Sequence, residues 1–371
     1  MIFFSPGRVT LLGEHIDYNG GLVIPCAINF GTTLLIAPNK DGILRFRSLN
    51  FPEAYDIPLA SFYEKQDDAW INYPLGVIQL FTQAGKALSG LDMMFYGNLP
   101  IGAGLSSSAS IEVVSAYALN TIFDAGFSRL ELVVLSKKVE NEFIGVQSGI
   151  MDQFAVAFGE KGKALKLNCE TLDYQTVDCD FGDYVLGIIN TNKVRKLAES
   201  KYNERVSECR SALISLQKEL KISNLCDIDS ITFGKHKYLI ENSMVRDRAM
   251  HVVEENDRVA LAVAALSENR LADFGKLMYL SHFSLQNLYE VSGKELDTII
   301  DFCRKHPHVI GARMTGAGFG GCAIALVRRD SFLDFSIDIA AYYTRRIGYA
   351  PSVYVTEIGS GVRALRKYAT A

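Results

Sequence analysis

Four stretches of the chain gather residue types able to do chemistry. The first is Pro100-Ile101-Gly102-Ala103-Gly104-Leu105-Ser106-Ser107-Ser108-Ala109-Ser110. Gly102 and Gly104 permit a sharp turn and close backbone approach to a ligand. Four serines add hydroxyls, and residues 111–119 begin a helical run. A helix N-terminus offers unpaired N–H groups and a partial positive charge, which suits a phosphate. No Gly-Lys-Ser/Thr follows, so this is not a Walker loop. A plain serine-rich helix cap is the other reading. The second stretch, residues 7–21, places Arg8, Glu14, His15 and Asp17 among glycines. Carboxylates there can accept hydrogen bonds from a polyol in fixed directions. A polar turn with a local Arg–Glu pair would look the same.

The third stretch is Gly149-Ile150-Met151-Asp152-Gln153-Phe154. Asp152 stands among apolar residues, where burial and a nearby cation tune a carboxylate towards base chemistry. It could equally be a helix N-cap. The fourth, residues 311–321, is a second glycine-rich loop, read as close backbone approach or as a tight αβ connection. Outside these, Glu140 with the serine loop could hold Mg²⁺, which takes one or two carboxylates plus substrate phosphates. An exposed helical glutamate is the alternative.

The elements that must position these groups read as follows. Strands are expected at 21–25, 31–36, 42–48 and 91–96, with a helix over 70–84. Ser128 and Glu131 form a capping box, and the helix they open carries Glu140 near its far end. Further strands are expected at 164–168, 174–177, 184–190 and 322–327. Tyr202, Val206, Cys209, Leu213, Leu216 and Leu220 mark one stripe of an amphipathic helix. Helices are also expected over 247–267, 269–281 and 296–304.

The chain of 371 residues is 49% hydrophobic, enough for about two domains. Lys+Arg 38 against Asp+Glu 42 gives a net charge of −4, with no basic block, so no nucleic-acid groove is expected. Seven cysteines without a Cys-x-x-Cys argue against a disulfide framework or thiolate zinc site, and a cytoplasmic location is expected. The N-terminus does not read as a signal peptide, and no apolar run nears the ~18 residues of a membrane helix. No Gly-x-Ser-x-Gly elbow supports a hydrolase.

Together, and in order, these segments resemble the galactokinases within the GHMP small-molecule kinases. Residues 7–21 are similar to the sugar signature, 100–110 to the phosphate loop, 149–153 to the segment of the catalytic aspartate, and 311–321 to the C-terminal motif. Trp70-Ile71-Asn72-Tyr73, Asn190-Thr191-Asn192-Lys193, residues 200–205, His251-Val252-Val253-Glu254-Glu255-Asn256 and Tyr289-Glu290-Val291-Ser292 strengthen it. The resemblance implies an α+β fold of two domains. An N-terminal one (1–183) would resemble ribosomal protein S5 domain 2, and a C-terminal one (184–371) would be ferredoxin-like, with the active site between them.

The activity implied is ATP-dependent phosphorylation of D-galactose at the C1 hydroxyl. Asp152 would be the base, with Arg8 beside it. Glu14, His15, Asp17, the Gly149 backbone and Tyr202 would bind the sugar. Gly102, Gly104, Ser106, Ser107 and Ser108 would wrap the ATP phosphates, with Trp70 near adenine, and Ser108 and Glu140 would hold Mg²⁺. Tyr202 also heads the apolar stripe, so packing alone explains it. The expected state is a monomer or weak homo-oligomer without nucleic-acid or membrane partners. Ile16, Val206, Gln286-Asn287-Leu288 and Ala317 depart from the family pattern, as does a start close to the sugar signature. They leave open a related sugar, N-acetylgalactosamine or L-arabinose, or a non-catalytic sugar sensor.

Overall fold

The computed structural model describes residues 1–100, 104–193 and 198–366. In chain order, β1 (Ile2–Leu12), β2 (Leu22–Asn39), β3 (Ile43–Ser48) and β4 (Tyr55–Pro58) precede α1 (Asn72–Gln83) and β5 (Gly90–Gly97). Then come α2 (Ser107–Ile122), α3 (Arg129–Lys138), α4 (Met151–Phe158), β6 (Lys163–Asn168) and β7 (Tyr174–Asp178). After β8 (Tyr184–Asn190) follow α5 (Ala198–Leu216), α6 (Ser230–His236), α7 (Ser243–Ser267), α8 (Leu271–Ser284) and α9 (Gly293–Cys303). The chain closes with β9 (Val309–Thr315), β10 (Cys322–Arg328), α10 (Phe332–Ile347), β11 (Ser352–Thr356) and β12 (Arg363–Arg366).

Among the described residues the strands form two sheets. The first runs β12-β1-β2-β5-β3-β4, with β6 paired to β2 and β7 paired to β6. The second is antiparallel in the order β11-β8-β10-β9, which is the βαββαβ order of a ferredoxin-like sheet with α5–α9 between its first two strands. The expected boundary at 183/184 falls just before β8, while β12 returns to pair with β1 in the first sheet. One apolar core, including Leu34, Phe46, Leu75 and Phe81, lies between the first sheet and α1. A second is continuous from Val9, Ile24 and Phe154 to Val252, Ile188 and Ile324, so it joins the two sheets.

Three sequence expectations change. The strands expected at 21–25 and 31–36 are one strand, β2. It passes Pro25 because the register with β1 shifts next to it, where a missing N–H is tolerated. Residues 311–315 belong to β9, so the second glycine-rich loop is only 316–321. It joins antiparallel β9 and β10 rather than a helix and a strand. On α5, Arg205, Glu208, Cys209, Ala212 and Leu216 are buried, whereas Val206 and Leu213 are half-buried and Leu220 lies past the helix end. The stripe turns because Arg205 reaches inward, donating through Nε to the Tyr289 carbonyl at 2.8 Å. The Ser128–Glu131 capping box forms as expected.

Candidate active site

A cavity of ≈ 1010 Å³ opens where β1, the serine loop, the start of α4 and the β9–β10 loop meet. A register shift in β1 lies between Pro6 and Arg8, and bulges of this kind re-aim side chains. Arg8 donates from Nε to Asp152 Oδ1 at 2.7 Å and from Nη2 to Oδ2 at 2.8 Å, a bidentate pair. Its Nη1 binds the Gly104 carbonyl at 2.9 Å, and its backbone N–H binds the Leu105 carbonyl at 3.2 Å. The guanidinium is buried. Burial works against its charge, but Asp152 and Glu14 outweigh it and raise its pKa. Asp152 is not a cap, since Ile150 holds the N-cap position of α4. Its side chain stays 29% exposed to the cavity.

Ser106 occupies the N-cap position of α2 in a left-handed conformation (φ 59°) and makes no cap bond. Its hydroxyl goes instead to Asp152 Oδ2 at 2.5 Å, which sets aside the plain-cap reading of the serines. Two residues on, Ser108 Oγ donates to Glu140 Oε1 at 2.7 Å. Glu140 is not on the regular part of α3. It sits on a π-helical turn, Val139–Ile144, closed by left-handed Gly145. Such turns insert one residue and re-aim a side chain at functional sites. Its other oxygen accepts from Ser148 Oγ at 2.6 Å and Gln153 Nε2 at 2.8 Å. Behind it lies Glu112, fully buried and also in contact with Gln153, its carboxyl pushed well up by burial and then by Glu140.

The loop between β1 and β2 forms the other end. Gly13 (φ +97°) and His15 (φ +63°) take left-handed backbone there. Glu14 is buried and accepts the Gly316 N–H through Oε1, while Oε2 lies 3.7 Å from Arg313 Nη2. Burial lifts its carboxyl to about 7 despite Arg313 and Arg8. Asp17 is lifted to about 6 by burial and by Asp152, against backbone N–H bonds from Tyr18 and Met151. A Cβ on Gly149 would stand 1.8 Å from Asp17 Oδ2, so only glycine fits there. His15 is pushed down to about 3, first by burial, and is neutral. Its ring nitrogens are taken by the Tyr18 hydroxyl at 2.9 Å and the Ala317 carbonyl at 3.2 Å. Tyr202 packs its ring 5.3 Å from His15 and 5.4 Å from Tyr18 and faces the cavity.

The cavity thus collects Arg8, Glu14, His15, Asp17, Gly104 and Ser106, and also Ser107, Ser108, Glu140, Gly149, Asp152 and Tyr202. Trp70 is not on its wall. The indole packs among Phe46, Phe51, Tyr55 and Phe95, and neighbouring Ala69 and Asn72 line the cavity instead. Gly102 lies outside the described residues. The sequence reading missed Ser148, Gln153, Glu112 and Arg313. Glu112 was findable, because it is one helical turn after Ser108 on α2. Arg313 lay within the fourth stretch but was not singled out, since only the fold brings β9 under Glu14.

Serine-lined helix terminus, acidic polyol pocket and paired Arg–Asp on this two-sheet frame define a small-molecule kinase of the GHMP class. The GHMP kinase N-terminal domain matches residues 72–160 and the GHMP kinase C-terminal domain residues 262–333. The galactokinase galactose-binding signature matches residues 1–38. A galactokinase of Clostridium tetani is 49% identical over 97% of this chain and 92% of its own length. The crystal structure of Lactococcus lactis galactokinase complexed with galactose superposes with a TM-score of 0.96 at 44% identity, covering 98% of this chain and 95% of that one. Methanococcus jannaschii mevalonate kinase, 21% identical over 96% of this chain and 98% of its own, shares the fold with a TM-score of 0.71. The chain belongs to the galactokinase family.

Proposed function

We propose that this enzyme transfers the γ-phosphoryl group of ATP to the C1 hydroxyl of D-galactose. The single observation that carries the reading is the Arg8–Asp152–Ser106 cluster, set between the acidic loop and the serine-lined start of α2. Phosphoryl transfer depends on positioning and charge stabilisation more than on covalent chemistry. Asp152 orients the C1 hydroxyl and takes its proton, and the exposed part of its carboxylate faces the cavity for that purpose. Arg8 holds Asp152 by a bidentate pair and supplies positive charge to the transferring group. Glu14, Asp17, the Gly149 backbone and Tyr202 receive the sugar hydroxyls. His15 lines the same end of the cavity and belongs with these sugar-contacting residues. Its ring nitrogens also contact the Tyr18 hydroxyl and the Ala317 carbonyl, which fixes the ring's orientation.

The ATP phosphates fit the start of α2 with Gly104, Ser106, Ser107 and Ser108, and Gly102 belongs to the same loop. Adenine lies beyond them, with Trp70 behind the wall. The pairing of Ser108 Oγ with Glu140 Oε1 is an all-oxygen donor set, the kind Mg²⁺ prefers, so these two residues fit that ion. Bound there, Mg²⁺ would supply charge neutralisation to the phosphate oxygens. The cavity lies between the parts 1–183 and 184–371, with β12 attached to the first. No described helix is long and apolar enough to cross a membrane. We assign the enzyme to the cytoplasm as a monomer or weak homo-oligomer. The test is a panel of hexoses and pentoses with Mg²⁺-ATP. Galactose is expected to give the highest kcat/KM, above N-acetylgalactosamine and L-arabinose. ATP-dependent turnover of none of them would leave only a sugar sensor.

A further inference from the structure

The loop 13–21 that carries Glu14 and Asp17 has an irregular backbone, with φ positive at Gly13, His15 and Gly20. A sheet ladder cannot dictate such a path, so other groups must satisfy its backbone. At its mouth, the Gly13 N–H donates to Glu255 Oε1 at 2.9 Å and the Leu22 N–H donates to Asn256 Oδ1 at 2.9 Å. Between them, the Glu14 carbonyl accepts from His251 Nε2 at 3.2 Å. All three side chains belong to α7: His251 and Glu255, four residues apart, share one face, and Asn256 stands next to Glu255 on the adjoining flank. No α7 residue lines the cavity.

The clamp is itself held in place. Glu255 is fully buried, accepts Ser281 Oγ at 2.6 Å and pairs with Arg258. Burial raises its carboxyl, but Arg258 and Arg313 more than reverse this and bring it to about 2, so it is an anion. His251 is held neutral, and its Nδ1 contacts Ser284 Oγ of α8 at 2.8 Å, which leaves Nε2–H to donate to Glu14. Arg313 of β9 donates to the Thr10 carbonyl at 3.0 Å and faces Glu14, pinning the strand that leads into the loop. A buried charge network of this size contributes little net stability compared with an apolar core. Its product is a loop of one shape.

We infer that the His251–Glu255–Asn256 cluster of α7 is the positioning device for the sugar loop, so that sugar affinity depends on three side chains that touch no substrate. This rests on the reading that Glu14 and Asp17 bind the sugar. The test compares Glu255→Gln, Asn256→Ala and Asn256→Asp in the full chain, with KM for galactose and for ATP, kcat and Tm measured for each. Glu255→Gln keeps an acceptor but removes the charge behind the Gly13 and Ser281 bonds and the Arg258 pair, and is expected to raise galactose KM about tenfold. Asn256→Ala should raise it several-fold, with ATP KM unchanged in both. Asn256→Asp keeps an acceptor for Leu22 and should restore galactose KM. Should Glu255→Gln fail to fold, the partly buried Asn256 pair decides alone. Unchanged galactose KM in folded variants, or sugar and ATP KM rising together, overturns the inference. A wild-type enzyme without galactose turnover overturns the functional reading beneath it instead.

Discussion

At the end of the cavity proposed to take the sugar, Glu14 and Asp17 are buried, and burial lifts their carboxyls to about 7 and about 6. At the end proposed for phosphoryl transfer, Asp152 keeps 29% of its side chain exposed and receives both arms of Arg8 plus the Ser106 hydroxyl. The two ends therefore meet different demands. Sugar hydroxyls are neutral and need acceptors aimed in fixed directions, so carboxyls can be buried there at some cost to the fold. The transferring phosphoryl group is anionic, so the groups around it bring compensating positive charge and hydroxyls. It follows that neutral substitutions at the sugar end should cost affinity without costing stability, whereas those at the transfer end should cost turnover.

The largest effect is expected at Asp152. Asp152→Asn should lower kcat by roughly 10²–10⁴-fold, the range of general-base contributions, with ATP affinity retained by equilibrium binding. Turnover at the wild-type rate would remove Asp152 from the mechanism and end the contrast. Next comes Asp17→Asn, expected to raise galactose KM about tenfold or more through a lost charge-assisted acceptor. Stability should follow the opposite sign. The folded Asp17 holds its proton more tightly than an ordinary carboxyl of 3.8, so its contribution is full below about 4 and is lost as pH rises through about 6. Asn at this position removes that loss, so at pH 8 the variant's Tm should match or exceed the wild type. A clear drop in Tm there would show Asp17 to be structural.

Ser108→Ala should raise the Mg²⁺ concentration for half-maximal rate about tenfold, leaving galactose KM unchanged, because one oxygen donor of the pair is gone. An unaltered Mg²⁺ titration would leave Ser108 with the phosphates only. The smallest effect belongs to Tyr202→Phe. The ring contacts with His15 and Tyr18 survive, so Tm should hold, while galactose KM rises a few-fold through the lost hydroxyl. Lost stability instead would return Tyr202 to the packing stripe.

How legible the molecule was in its sequence depended on distance along the chain. The capping box at Ser128, the strand of residues 184–190 and the long helix before Ser267 are local patterns and could be read directly. Most cavity groups fell within short glycine-bearing stretches, and Glu140 and Tyr202 on expected helices, so their types were visible, and resemblance implied their roles. What stayed hidden comes from contacts across the fold. The Arg8–Asp152 pair spans 144 positions, and the Gly13–Glu255 bond spans 242. Glu140 was assigned to a regular helix because a π-turn leaves no trace in apolar spacing. Trp70 was expected near adenine, and the four aromatic partners that hold its indole in the wall are Phe46, Phe51, Tyr55 and Phe95, which spacing along the chain does not bring together.

β12 carries a consequence for how the chain is made. Ile2, Phe3 and Phe4 on β1 pair with Arg366, Ala364 and Arg363. While a ribosome is still translating the intervening residues, the outer side of β1 has no neighbour, and its backbone groups at those positions stand open to water or to other nascent chains. The strand bearing Arg8 therefore stays open on that side until β12, far along the chain, is available to pair with it. Products truncated before Arg363 should leave Ile2–Phe4 of β1 as an unpaired edge and associate through it more readily than the full chain.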